Sequence, residues 1–248
     1  MDISIITFTL GGRDKYLEEC IVSVIEDGLT YEPDVKIEHH LVLQGCQQSE
    51  LVFDIIANSS VLGNYDLQVH KWPENIGIGA GLNKIVPLCK GGLIMKMDDD
   101  CKIISHDIFT KAFAIHSKFP DLTFSPYPVG LINNPGGPRG SGHFVWADQS
   151  DDTFYTFRRV SHVGGFARFT PASLMKNFKF KDDLIPGISG DEDGQYSNYL
   201  NSIGKPMCYL ENGLVVEHNE STLGQIARFP QYFTSRTNES KMNVEVVR

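Results

Sequence analysis

The sequence predicts an α/β protein: a mostly parallel central sheet flanked by helices, followed by a smaller antiparallel part. Three observations carry this. Apolar, β-branched stretches alternate with stretches of helical spacing through residues 1–105, the rhythm of β-α-β units. The apolar strand "GLIMKM" runs directly into "DDDC", which puts acids where open α/β sheets bind their ligands. Beyond residue 126 glycine and proline become frequent, with "NNPGGPRGSG" at the centre, as in loops and short antiparallel strands.

Each element follows from its own residues. "ISIITFTL" alternates little and is rich in β-branched residues, as a strand covered on both faces is. In "RDKYLEECIVSVIEDGL" the apolar Leu17, Ile21, Val24 and Ile25 recur at helical spacing, and Gly28 can end the helix. "IEHHLVLQGC" reads as the second strand, "SELVFDIIANSSVL" as the next helix and "LQVHKWPEN" as a third strand. "GAGLNKIVPLCKGG" is a helix that Pro87 shortens or kinks. After the acidic run come a helix over "SHDIFTKAFAIHSKFP", helical stretches in "PASLMKNF" and "GDEDGQYSNYLNSIG", and one final strand, "PMCYLENGLVVEHN". Residues 1–219 are expected to form one domain with two halves, 1–105 and 106–219. The tail 220–248 mixes Arg228 and Arg236 with Phe229, Tyr232 and Phe233. It is expected to pack on the core or act as a lid, with membrane-surface contact as the alternative.

Composition narrows the function classes. A chain of 248 residues, 41% hydrophobic and 21% charged, can bury a core without disulfide or metal staples. A net charge of −9 argues against a duplex nucleic-acid surface. The cysteines at 20, 46, 89, 101 and 208 form no C-x-x-C pair and read as reduced core thiols of a cytoplasmic protein. The start "MDISIITFTLGG" lacks the basic opening of a signal peptide, and no apolar run reaches the ~18–20 residues that cross a bilayer. Membrane contact is expected to be peripheral at most.

The chemistry concentrates in two acidic clusters. Asp98, Asp99 and Asp100 at a strand end repel one another unless water or a cation neutralises them. A solvated acidic turn is the plain alternative, but the strand-end position favours a hard cation, Mn²⁺ or Mg²⁺, bound with a diphosphate. The second cluster, Asp191, Glu192 and Asp193, lies between glycines ahead of a helix. Acids complement a helix start, yet three exceed what a cap requires, and a general base is plausible there. His218 ends the last strand and can complete a metal site. The glycines at 77, 79 and 81 suggest a dinucleotide turn, but such a turn follows the first strand, and here two strand–helix units precede it.

Taken in order, "SVIEDG", "ENIGIGAGLNKIV", "GLIMKMDDDC", "GDEDGQYSNYLNSIG" and "LVVEHN" resemble glycosyltransferase family 2, the inverting nucleotide-sugar transferases of the GT-A fold. The resemblance runs from about Ile3 to His218. It implies a nucleotide-diphosphate sugar donor, an acceptor that is a saccharide or another hydroxyl-bearing molecule, and Mn²⁺ or Mg²⁺. By resemblance, donor contacts come from Thr7, Phe8, Thr9, Arg13, Gln44, Asn75, Gly77, Gly79, Asn83, Asp98 and Asp99. Asp98, Asp100 and His218 are the implied metal ligands. The base is Asp193, with Asp191 and Glu192 as rivals, and the acceptor side includes Gly164, Gly165 and Trp146. The chain departs from the family pattern at "TFTLGGRDKY", where an N-R element is usual, and at Gln44, where an Asp usually reads the base. Two other readings remain: a nucleotidyltransferase acting on a sugar phosphate, faintly echoed in "LGGRDK", and a non-catalytic nucleotide-sugar-binding module.

Overall fold

A computed structural model describes residues 2–27, 34–45, 63–130, 142–147, 154–181 and 192–219. The expected helix over 49–62, Asp191 and the tail 220–248 lie outside the described residues. The first half runs β1 (Ile3–Thr9), α1 (Asp14–Glu26), β2 (Ile37–Gln44), β3 (Tyr65–Trp72), α2 (Ile78–Ile85) and β4 (Leu93–Met97). Pro87 acts as expected: α2 stops at Ile85 and a 3₁₀ turn spans Val86–Leu88. β1, β2 and β4 are buried along their whole length, which is why β1 does not alternate. β2 buries Glu38, His39 and His40, and β4 buries Lys96, among their apolar residues.

The second half continues with β5 (Cys101–Ile103), α3 (Ile108–Lys118), β6 (Thr123–Ser125), β7 (Tyr127–Val129), β8 (Gly142–Ala147) and β9 (Phe154–Arg159). It ends with β10 (Ala167–Pro171), α4 (Ala172–Lys176), α5 (Glu192–Ser202), β11 (Met207–Leu210) and β12 (Val215–His218). Among the described residues one sheet holds nine strands in the order β3-β2-β1-β4-β10-β6-β11-β9-β8, and a second holds β5-β12-β7. β3, β2, β1 and β4 are parallel, while β10 is antiparallel to both β4 and β6 and β8 is antiparallel to β9.

One expectation is corrected here. Residues 206–219 form not one strand but two, β11 in the large sheet and β12 in the small one. The break is pinned by Asn212, whose Oδ1 accepts from Thr156 N (2.7 Å) and whose Nδ2 donates to Phe154 O (2.6 Å). This turn tips β12 away so that His218 pairs in register with Cys101.

The strand order explains where a ligand fits. The chain leaves β1 toward β2 on one side, while β4 adds on the other, so a crevice opens beyond the carboxyl ends of β1 and β4. Arg13 follows β1 and Asp98–Asp100 follow β4.

Candidate active site

Beyond β4 Asp99 and Asp100 are buried, Asp98 is half-buried, and all three are matched by cations. Arg13 forks across two of them: Nη2 donates to Asp99 Oδ1 (2.6 Å) and Nη1 to Asp100 Oδ2 (2.7 Å). Asp98 Oδ1 accepts from Lys96, whose side chain is buried within β4. Burial pushes the Asp99 carboxyl up to about 7 against the opposing pull of Arg13. Burial also raises Asp98, with Lys96 opposing it. His218 Nε2 lies 3.6 Å from Asp100 Oδ1. One ligand atom each from Asp100, Cys101 and His218 fall within 4.8 Å of one another.

The donor set is mixed: Asp100 and His218 suit a divalent cation, and Cys101 adds a thiol beside them. Asp99 Oδ2 is buried without a hydrogen-bond partner among the described residues, and a histidine nitrogen stands beside Asp100, while Asp98 turns to Lys96.

The second cluster is brought to the first by register. In the antiparallel β10–β4 pair Arg168 stands opposite Lys96. Two cations directly opposite each other destabilise a sheet unless acids match them. Lys96 pairs with Asp98, and Arg168 Nη1 donates to Asp193 Oδ1 at 3.0 Å. The Arg168 guanidinium also lies 4.9 Å over the Tyr196 ring. Asp193 Oδ2 accepts the Gly165 N–H at 2.7 Å, and the Gly164 N–H donates to Tyr209 Oη at 2.7 Å. Gly165 must be glycine for this approach, because a Cβ there would meet Asp193 Oδ1 at 2.2 Å. Asp193 keeps a 27% exposed side chain, whereas its neighbour Glu192 is buried, and burial with the charge of Asp193 pushes the Glu192 carboxyl up to about 7. Of the acids described in "GDEDG", Asp193 is the one both oriented and open to solvent.

The remaining sequence-derived residues divide clearly. Thr9 lies with the acids at the end of β1, whereas Thr7 is fully buried with its Oγ1 3.0 Å from His39 Nε2, and Phe8 packs against Trp72. Gln44 Oε1 accepts from Ile76 N (3.0 Å) and Asn75 Oδ1 from Gly77 N (2.8 Å), so both amides shape the turn into α2. Asn83 exchanges two hydrogen bonds with the Phe180 backbone, and Gly79 packs beneath Phe180. Trp146 stacks on Tyr155, with ring centroids 5.3 Å apart, and meets Phe119 edge-on. Tyr127 and Phe154 are the exposed aromatics of that region. Lys96 and Arg168 escaped the sequence reading, although a basic residue inside an apolar strand is the signal that marks them.

Comparison with known proteins defines the fold class. Solved structures that share it are glycosyltransferases of the GT-A type. Residues 1–349 of TarS from S. aureus superpose with a TM-score of 0.63 at 15% identity, covering 96% of this chain and 65% of that one. The mannosyltransferase PcManGT from Pyrobaculum calidifontis, in complex with GDP-Man and Mn²⁺, gives 0.63 at 13% identity, covering 96% and 64%. GalNAc-T7 with UDP, GalNAc and Mn²⁺ gives 0.61 at 14% identity, covering 88% and 43%. The chain therefore spans less than two thirds of each of these proteins. No protein-family model and no curated protein sequence matches it. No helix among the described residues is long and apolar enough to cross a membrane.

Proposed function

We propose that the protein transfers a sugar from a nucleoside diphosphate sugar to an acceptor hydroxyl by single displacement with inversion, in the manner of glycosyltransferase family 2. The observation that carries this reading is the pairing of Lys96–Asp98 and Arg168–Asp193 on adjacent strands. It sets the oriented Asp193 carboxylate beside the acid cluster that follows β4, at the sheet's ligand crevice. The folds that resemble this one, crystallised with UDP or GDP-Man and Mn²⁺, support the same donor class.

Asp193 would accept the proton of the acceptor hydroxyl as that oxygen attacks the anomeric carbon, the attack coming from the face opposite the diphosphate. Gly165 N–H and Arg168 fix the direction of its two oxygens. Lys96 stays protonated because Asp98, Asp193 and Glu192 all hold its charge against burial. Arg13 keeps Asp99 and Asp100 from repelling each other apart. A divalent cation, Mn²⁺ or Mg²⁺, held by Asp100 and His218 with Asp98 nearby, would supply neutralisation of the charge that develops on the departing diphosphate. The four described cysteines are buried and free, which supports a reducing compartment such as the cytoplasm.

A screen of nucleotide sugars for Mn²⁺-dependent thermal stabilisation tests the proposal. One UDP- or GDP-sugar should raise the melting temperature only with the metal and be slowly hydrolysed. Stabilisation by a nucleoside triphosphate with a sugar phosphate, and by no nucleotide sugar, would move the assignment to nucleotidyl transfer. Binding without any turnover would mark a non-catalytic module.

A further inference from the structure

At the opposite end of the sheet the fold gathers a second set of metal-type donors. Glu38 and His40 are successive inward residues of β2, and Cys89 precedes β4. All three are buried. One ligand atom from each lies within 4.8 Å of the others. Cys89 comes before β4 and the aspartates come after it, so strand rise separates the two sites by roughly 15–20 Å.

Two buried atoms there are unanswered. Glu38 Oε2 and His40 Nε2 have no hydrogen-bond partner among the described residues, although both side chains are 0% exposed. The contact between them is loose: His40 Nε2 lies 3.8 Å from Glu38 Oε1, within ion-pair range but beyond hydrogen-bond distance. Burial lowers the imidazole away from its charged form. The surroundings orient both groups inward. Glu38 Oε1 accepts from Ser4 Oγ (2.5 Å), from Lys90 N and from Gly91 N (3.3 Å), which leaves Oε2 as the free oxygen. Gly91 allows this grip, because a Cβ there would lie 2.6 Å from Ser4 N. His40 Nδ1 lies 3.0 Å from His70 Nε2, and a hydrogen on Nδ1 leaves the Nε2 lone pair bare. Metal-bound histidines are held in this way, through their second nitrogen.

We propose that Glu38, His40 and Cys89 bind a zinc-type divalent ion that ties the foot of β2 to the segment before β4. The Cys89 thiol donates to Ile85 O at 3.6 Å and burial pushes it up to about 12, so it gives up that proton only as the metal binds. Lys176, whose Nζ donates to Cys89 O at 2.7 Å, favours the thiolate, and the thiolate and carboxylate then face the divalent cation. Nitrogen and sulfur donors select Zn²⁺ over the Mg²⁺ or Mn²⁺ that suits the aspartates. Tetrahedral bonds of ~2.0–2.3 Å place ligand atoms roughly 3.3–3.8 Å apart, so the three side chains need close by only about 1 Å. The fourth position is left to water. The proposal is independent of the sugar-transfer reading.

Titration of metal-free protein with Co²⁺ alone, without nucleotide, tests it. One equivalent should produce visible tetrahedral bands and a near-ultraviolet thiolate-to-cobalt band, which one equivalent of Zn²⁺ then displaces. Cys89→Ser should lose the thiolate band; Cys101→Ser and Asp100→Asn should keep it. Zn²⁺ at a hundredfold its Kd should raise the melting temperature of the unaltered chain by roughly 5–10 °C and that of Cys89→Ser by far less. Zinc-edge X-ray absorption of the unaltered protein should read one sulfur among nitrogen and oxygen neighbours, and this reading does not depend on any variant folding. No thiolate band, a band that survives Cys89→Ser, or a zinc shell without sulfur would overturn the proposal.

Discussion

Gly165→Ala asks whether Asp193 must sit where the fold holds it. The added Cβ would lie 2.2 Å from Asp193 Oδ1 and 2.9 Å from Cγ and Oδ2. Carbon–oxygen contacts settle at about 3.3 Å or more, so the carboxylate has to retreat by roughly 1 Å. A shift of that size in a reacting group costs about a hundredfold in rate, or ~2.7 kcal/mol of barrier. The same movement stretches the 2.7 Å bond from Gly165 N and the 3.0 Å pair with Arg168. Hydrogen bonds to a charged acceptor contribute ~1.5–3 kcal/mol, which leads to the same range. Gly165 does not adopt a left-handed backbone, so alanine strains the side-chain contact and not the chain. The assay is release of nucleoside diphosphate from the donor in Mn²⁺, with water as acceptor, beside calorimetric donor affinity. The expected outcome is a loss of about a hundredfold in rate with affinity essentially unchanged. In an Asp193→Asn background the same substitution should cost little more, since the group it displaces no longer acts as a base. A Gly165→Ala enzyme at full rate, or an equal loss in both backgrounds, would refute the reasoning.

The remaining expectations are simpler. Asp193→Asn should retain donor and metal binding but lose about 10²–10⁴ in transfer rate, while the same change at Asp191 costs less; single-turnover kinetics separate the two. Asp100→Asn should abolish Mn²⁺-dependent nucleotide affinity with the melting transition still cooperative, and His218→Ala should weaken it less, because water can replace the imidazole. Glu192 keeps its proton to about pH 7 in the folded chain but only to 4.5 in its ordinary state. Its contribution is therefore full below the lower value and is lost as pH rises through the upper one. Thermal scans without metal should show the melting temperature falling across that window, and Glu192→Gln should flatten the fall; an unchanged slope would place the carboxyl elsewhere.

Local pattern determined much of this protein. β1 was legible because a parallel strand covered on both faces is largely apolar and β-branched, and α2 ends where Pro87 removes its donor. The acids of both clusters were legible too, as charged runs bordering a strand and a helix. The long-range structure decided the rest. One unbroken strand over 206–219 was a fair reading of its residues, and only the hold of Asn212 on β9, 56 and 58 positions away, splits it. Arg13 reaches acids 86 and 87 positions away, and Arg168 meets Lys96 through a register between antiparallel strands. The unanswered Glu38 and His40 acquire Cys89 only because β1 and β4 lie side by side. Spacing along the chain carries no information about such pairs. Which strand becomes the neighbour of which depends on how the whole sheet closes its core, and that decides which charges must share one interior.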